Sequence, residues 1–280
     1  MIFDSVILDD LDEELDMETW KPAVLSLSGG MDSTGLLIQF LANGYDVHAL
    51  SFDYGQKHKL EIERLQQNIE YLKNNGLNIK WDLIDVSTLG SLYNSALVSD
   101  DIEVPTGHYE QDNMKATVVP NRNMIFFSMI CGYAQSIADK TDSEVTIGLG
   151  VHSGDHEIYP DCRPEFYVKA METFQVGNWN SEKVKLHLPY LQGDKFTILQ
   201  DTDANCHKLG IDFDIVLANT NTSYAPDDKG RASGKTGSDV ERILAFWKLG
   251  RRDPVEYVGG WDEALENALR MEQEYKNENN

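Results

Sequence analysis

The chain is poor in cysteine, poor in positive charge and free of long apolar runs. Its three cysteines among 280 residues, Cys131, Cys162 and Cys206, show no Cys-x-x-Cys spacing. That argues against a disulfide framework and against a paired-thiol sulfur carrier, and it points to reduced thiols in a cytoplasmic protein. Lysine and arginine number 24 against 47 aspartates and glutamates, for a net charge of −23. No basic patch of useful length stands out, so direct nucleic-acid binding is not expected. No apolar run reaches membrane-spanning length and no signal peptide is recognisable, so no membrane partner is expected either. The remaining composition, 41% hydrophobic and 25% charged, is that of a globular domain long enough to bury a full core.

What is present begins with Ser28-Gly29-Gly30-Met31-Asp32-Ser33. An apolar run, Ala23 to Leu27, reads as a buried strand before it, and Thr34 to Leu41 has helical character after it. A turn of serine and glycine from strand into helix offers backbone N–H groups and a positive helix end to an anion. Glycine lets the backbone come close, and Ser28 and Ser33 add hydroxyl donors. The Gly-x4-Gly-Lys spacing of the other common phosphate loop is absent. A tight turn that merely needs small residues is the plain alternative. The full hexapeptide between strand and helix favours phosphate.

Residues 1–22 form an acidic extension with interspersed leucines, read as a short amphipathic helix, a docking arm or a frayed terminus. From Ala23 the pattern alternates strand and helix, with strands at 46–52, 79–86, 145–149 and 184–188 and helices at 57–74, 123–138, 163–174 and 195–209. This predicts an α/β fold with a doubly wound, mainly parallel sheet over residues 23–218. A polar stretch, 88–118, has little periodicity and reads as a lid. Residues 219–280 read as a small helical subdomain, with helices at 239–249 and 261–276. Ligands in such sheets sit at the carboxyl ends of the strands.

Further segments narrow the reading. Phe52-Asp53-Tyr54-Gly55-Gln56-Lys57-His58 follows the second strand, Val119-Pro120-Asn121-Arg122-Asn123 opens the long helix, and Tyr159-Pro160-Asp161-Cys162-Arg163-Pro164-Glu165-Phe166 follows the fourth strand. The hexapeptide resembles the PP-loop of the N-type ATP pyrophosphatases. The segments together resemble the QueC family, the 7-cyano-7-deazaguanine synthases, from about Ala23 to Tyr257. The resemblance implies a fold like that of adenine nucleotide alpha hydrolases. It also implies a ligase that adenylates 7-carboxy-7-deazaguanine with ATP, lets ammonia displace AMP to give the amide, and uses a second ATP to reach the nitrile preQ0.

The resemblance implies that Leu27, Ser28, Gly29, Gly30, Met31, Asp32, Ser33 and Thr34 bind ATP and its pyrophosphate. Arg122 and Lys195 would neutralise phosphate charge, and Asp32 would help hold Mg²⁺, which prefers carboxylate and phosphate oxygens. A guanine-like base needs aromatic or apolar walls and polar edges; Tyr54, Gln56, His58, Asp155, Tyr159, Asp161, Arg163 and Phe166 are the candidates. Each has a plainer reading, as a loop-shaping, salt-bridged or solvated residue.

The chain also departs from the family. Four zinc-binding cysteines of that family are matched here by Ser223, Ser233, Thr236 and Asp239. Three hydroxyls and a carboxylate do not make a tetrahedral structural zinc site, so no zinc is expected. Glu157 and Ile158 stand where the family has small residues. These departures leave the acceptor open between ammonia and another amine, such as a protein N-terminus in an antiphage or phage modification cluster, where the chain would take a protein partner. A non-enzymatic nucleotide- or deazaguanine-binding scaffold is the third reading, disfavoured by the intact loop, Arg122 and Lys195. The family's habit implies a homodimer.

Overall fold

The computed structural model describes residues 20–56, 60–93, 95–98, 101–102, 105–106, 108, 112–152, 154, 159–223 and 226–278. Five strands form one parallel sheet: β1 (Pro22–Ser26), β2 (Asp46–Asp53), β3 (Ile79–Asp85), β4 (Val145–Gly148) and β5 (Val184–His187), in the order β3-β2-β1-β4-β5. Eight α-helices accompany them among the described residues: α1 (Met31–Ala42), α2 (Leu60–Asn74), α3 (Arg122–Thr141), α4 (Pro164–Gly177), α5 (Lys195–Leu209), α6 (Phe213–Ala218), α7 (Gly237–Leu249) and α8 (Trp261–Glu278). The strand order reverses direction at β1, so the chain leaves β1 and β4 at the switch point where doubly wound sheets bind ligands. The α/β class expected from the alternation is the class observed.

Central β1 reads as a continuous apolar run because both its faces are covered. Leu25 and Ala23 pack with α1, α2 and α5 on one face, whereas Val24 packs with α3 and α4 on the other. Helix α1 is nearly all buried, wedged between the sheet and α5. Gly35 permits this: a Cβ there would stand 2.6 Å from Thr202 Oγ1 and 2.8 Å from Ile198 of α5. That close approach brings the first residue of α5 to the first turn of α1.

Two features differ from the sequence expectation. Helix α6 lies in a stretch where no element was expected; six residues are too few for a periodic signal. Helix α7 places Ala245 and Phe246 in the same apolar cluster as β1 and α1, while its Val240 and Ile243 pack with Ala264 and Ala268 of α8. The C-terminal helices are therefore joined to the main core through α7. Most of the 1–22 extension lies outside the described residues. Within the 88–118 stretch, two 3-10 turns occur, Ser87–Leu92 and Asp112–Thr117, and Ala96, Leu97 and Met114 are buried. No described helix is long and apolar enough to cross a membrane.

Candidate active site

The loop from Ser28 to Ser33 closes on itself before the helix begins. Ser28 and Ser33 hydroxyls lie 3.1 Å apart, the Ser28 amide donates to Ser33 Oγ at 3.2 Å, and the Gly30 amide donates to Ser28 Oγ at 3.3 Å. Gly30 is the N-cap of α1 and carries no side-chain cap, so the first amides of the helix are left for another acceptor. Gly29 adopts φ +87°, and a Cβ on it would come within 2.6 Å of the Glu61 carbonyl oxygen on the first turn of α2. No larger residue fits this contact. Met31 and Thr34 are buried and line neither cavity over the loop, so any part they play in binding runs through their backbone, whereas buried Leu27 lines the larger one.

Lys195 opens α5, whose N-terminus is fixed by a capping box between Asp194 and Thr197. Its buried ammonium lies 2.9 Å from Asp32 Oδ2, 3.1 Å from Glu241 Oε2 and 2.9 Å from His152 Nε2. His152 Nδ1 is 3.7 Å from Glu241 Oε1. Burial alone would raise the Asp32 carboxyl; Lys195, His152 and Arg242 outweigh it and hold it below the ordinary value. The Lys195 ammonium is shared between the two carboxylates, Asp32 and Glu241. Asp32 Oδ1 is buried without a hydrogen-bond partner. An unpartnered hard oxygen suits Mg²⁺, which Asp32 would hold together with phosphate oxygens.

Two cavities meet over the loop. The larger, about 260 Å³, runs under the ends of β1 and β2 and is walled by Phe52, Tyr54, Phe126 and Tyr167 over Leu27, Ile130 and Leu149. Phe52 and Phe126 stack at 4.2 Å. Arg122 reaches the same wall: its Nη1 donates to Tyr54 Oη at 3.3 Å, and its guanidinium lies 5.3 Å from the Tyr54 ring centroid. Asn121 turns the chain here with φ +61°, a left-handed conformation that asparagine tolerates. The smaller cavity, about 140 Å³, is polar and includes Ser28, Gly30, Lys195, Asn221, Thr222 and Glu241. The Asn221 amide donates to the Gly29 carbonyl at 3.0 Å, which ties the 219–223 loop to the phosphate-type turn.

The sequence profile described as "Queuosine biosynthesis protein QueC" matches residues 22–250. The chain belongs to the QueC family. A "7-cyano-7-deazaguanine synthase 2" of Colwellia psychrerythraea is 45% identical over 238 residues, covering 85% of this chain and 99% of its own. Proteins named "7-cyano-7-deazaguanine synthase" from Hahella chejuensis and Methanoregula boonei are each 43% identical, covering 84% of this chain and 92% and 98% of theirs.

Within this QueC-family site the expected residues separate into groups. Ser28, Gly30, Asp32, Ser33, Lys195, Arg122, Tyr54, Gln56 and Tyr159 line one or both cavities. Tyr159 Oη lies 2.5 Å from Thr117 Oγ1, which seats the neighbouring Met114 on the smaller cavity. Asp161, Arg163 and Phe166 line neither cavity. Arg163 is exposed at the N-cap of α4, and Phe166 packs edge-on against Tyr167 at 5.0 Å. From that segment it is Cys162 that faces the larger cavity. His58, Asp155, Glu157 and Ile158 lie outside the described residues. His152, Glu241, Glu61 and Asn221 were not singled out in the sequence as site residues. The available signals were the position of His152 just past β4 and the Val240-Glu241-Arg242 string, which reads as flank rather than site.

The four positions matched to the family's cysteines form a hydrogen-bonded knot. Asp239 Oδ2 accepts from Ser233 Oγ at 2.6 Å, Ser223 Oγ at 3.2 Å, and the Lys235 and Thr236 amides at 3.2 Å each. Thr236 caps α7 by accepting from the Asp239 amide at 3.3 Å. Asp239 is buried, so its charge is held by donors converging from both halves of the loop.

Proposed function

We propose that this protein is a cytoplasmic ATP-dependent C–N ligase that adenylates 7-carboxy-7-deazaguanine and hands the activated carbonyl to ammonia. The observation that carries this reading is the meeting of the loop, Lys195 and Asp32 with an aromatic cleft at the end of β1, in a chain of the QueC family. The polar cavity suits the β- and γ-phosphates, which become pyrophosphate. The aromatic cleft suits a planar heterocycle. The α-phosphorus then lies between them, beside Ser28 and Asp32.

The substrate carboxylate oxygen attacks the α-phosphorus, the bond to the bridging oxygen breaks, and pyrophosphate leaves with the electron pair. Loop amides, the α1 dipole, Lys195 and Arg122 stabilise the charge that spreads over the phosphoryl oxygens. Mg²⁺, when bound at Asp32, supplies further neutralisation of the polyphosphate. Ammonia then attacks the acyl carbon and AMP departs, leaving the amide. In a second cycle the amide oxygen is adenylated, and loss of AMP and a proton gives the nitrile. The hydrogen bonds on Asp239 support a loop that holds its shape without zinc.

The test is to incubate the protein with ATP, Mg²⁺, ammonium and 7-carboxy-7-deazaguanine and to follow AMP and product by mass spectrometry. Amide or nitrile with stoichiometric AMP is expected. No acid-dependent AMP release with any amine would overturn the reading. Product that forms only when a protein replaces ammonium would move the acceptor to a protein N-terminus.

A further inference from the structure

Ser28, Asp32 and Glu61 are the described residues that line both cavities. Two of them lie in the loop and already have side-chain partners: Ser28 the Ser33 hydroxyl at 3.1 Å, and Asp32 the Lys195 ammonium of α5 at 2.9 Å. Glu61 comes from α2, and its backbone carbonyl is packed on Gly29, so helix and loop keep a fixed distance. Its side chain hydrogen-bonds Asn221 and faces the charge of Arg122. It therefore stands at the seam where the reading above puts the α-phosphorus and the acyl carbon bonded to it through oxygen.

We propose that Glu61 is the general base of the acceptor step, taking a proton from an ammonium ion drawn to the seam between the two cavities. The proposal rests on the function argued above. An N–H bond of ammonium breaks and its proton goes to a Glu61 carboxylate oxygen. The freed lone pair forms the C–N bond, the acyl C–O bond breaks, and AMP leaves with that electron pair. The nitrogen's surplus proton passes to the departing phosphate or to water. Ammonia is scarce at neutral pH because its conjugate acid holds the proton, so a base at the point of attack removes a concentration barrier. Burial pushes the Glu61 carboxyl up to about 7, against the opposing pulls of Arg122 and Asn221. A group in that range both accepts and returns a proton near neutrality.

The experiment compares wild type, Glu61→Gln and Glu61→Asp in two assays on the full chain. One is acid-dependent exchange of labelled pyrophosphate into ATP without any amine; the other is amide formation from ammonium across pH 6.5 to 9. Glu61→Gln is expected to lose about 10²–10⁴-fold in amide formation near pH 7 and far less in exchange. The deficit should shrink as rising pH supplies free ammonia, and Glu61→Asp should retain a pH-dependent amide step. The proposal is overturned if Glu61→Gln forms amide at the wild-type rate near pH 7. Exchange falling in parallel with amide formation also overturns it, since that marks a structural role. A wild type that lacks acid-dependent exchange overturns the function and the proposal together; normal exchange with a normal Glu61→Gln amide step removes the base alone.

Discussion

Lys195 Nζ sits 2.9 Å from Asp32 Oδ2, joining the first residue of α5 to the second of α1 across 163 positions of sequence. The contact exists because α1 and α5 pack closely at Gly35. Both side chains are then presented to one place, beside the amides of the loop. The loop offers amide donors, Lys195 a buried and fixed positive charge, and Asp32 a buried oxygen, Oδ1, without a hydrogen-bond partner.

Asp32→Asn and Lys195→Ala are each expected to lower acid-dependent pyrophosphate exchange by about 10²–10³-fold, the usual loss when a preorganised charge is removed. Because the two act as one unit, the double variant should be little worse than either single one. Exchange assays on the three variants, with circular dichroism to establish folding, check this. Near-wild-type exchange in Asp32→Asn would contradict the assignment.

Glu61 makes stability depend on pH in an unusual direction. Its folded value, about 7, lies above the ordinary 4.5, so the folded state binds the extra proton between them. Stability is therefore fullest below 4.5 and falls as pH rises toward 7, then levels off. Glu61→Gln removes that term, so its advantage over wild type should grow across this window to about 1–3 kcal/mol. Urea midpoints at pH 5, 6 and 7.5 measure it; a constant difference would refute the raised carboxyl.

Arg242 is almost fully buried and all five of its N–H groups are used. Nε and Nη2 meet Asp253 at 2.6 and 2.9 Å, Nη1 donates to Thr220 and Thr222 at 2.7 and 2.9 Å, and Nη2 donates to the Leu217 carbonyl at 3.1 Å. Lysine has three donors and no fork, so Arg242→Lys should destabilise the fold by about 3–5 kcal/mol. It should also weaken ATP binding, because the 219–223 loop that carries Asn221 and Thr222 to the polar cavity hangs on this guanidinium. Denaturant unfolding and the KM for ATP give both readings.

The Asp239 knot predicts a loop indifferent to metal removal. Washing with a strong chelator should leave the melting temperature unchanged, whereas Asp239→Ala, which strips four donors of their acceptor, should cost about 2–4 kcal/mol. A chelator-induced drop in melting temperature in the unaltered protein would show that the loop holds a metal after all.

Much of the fold was legible in sequence because the elements that carry it are long and regular. The α5 range, Lys195–Leu209, matches the expected range at both ends, since Asp194 and Gly210 are cap residues of ordinary type. Helix α6 was not legible, being only six residues long between two longer helices. The Tyr159-to-Phe166 string was read as one block. A 3-10 turn at Pro160–Cys162 instead gives its members different directions: Tyr159 and Cys162 reach the cavities, Arg163 faces solvent and Phe166 packs on Tyr167. Nothing in a string of letters fixes which side chain a turn aims inward.

The sequence by itself determined the parallel α/β fold, the phosphate-type loop after β1 and the membership of the QueC family, because each is carried by local periodicity or by contiguous motifs. The tertiary structure decided what surrounds the loop. His152, Glu241, Glu61 and Asn221 come from four separate elements and converge only through packing of α1, α2, α5 and α7 on the sheet. Buried charge acquires its chemistry from such neighbours, and neighbours at this distance in sequence are set by how the helices close on one another rather than by any local pattern.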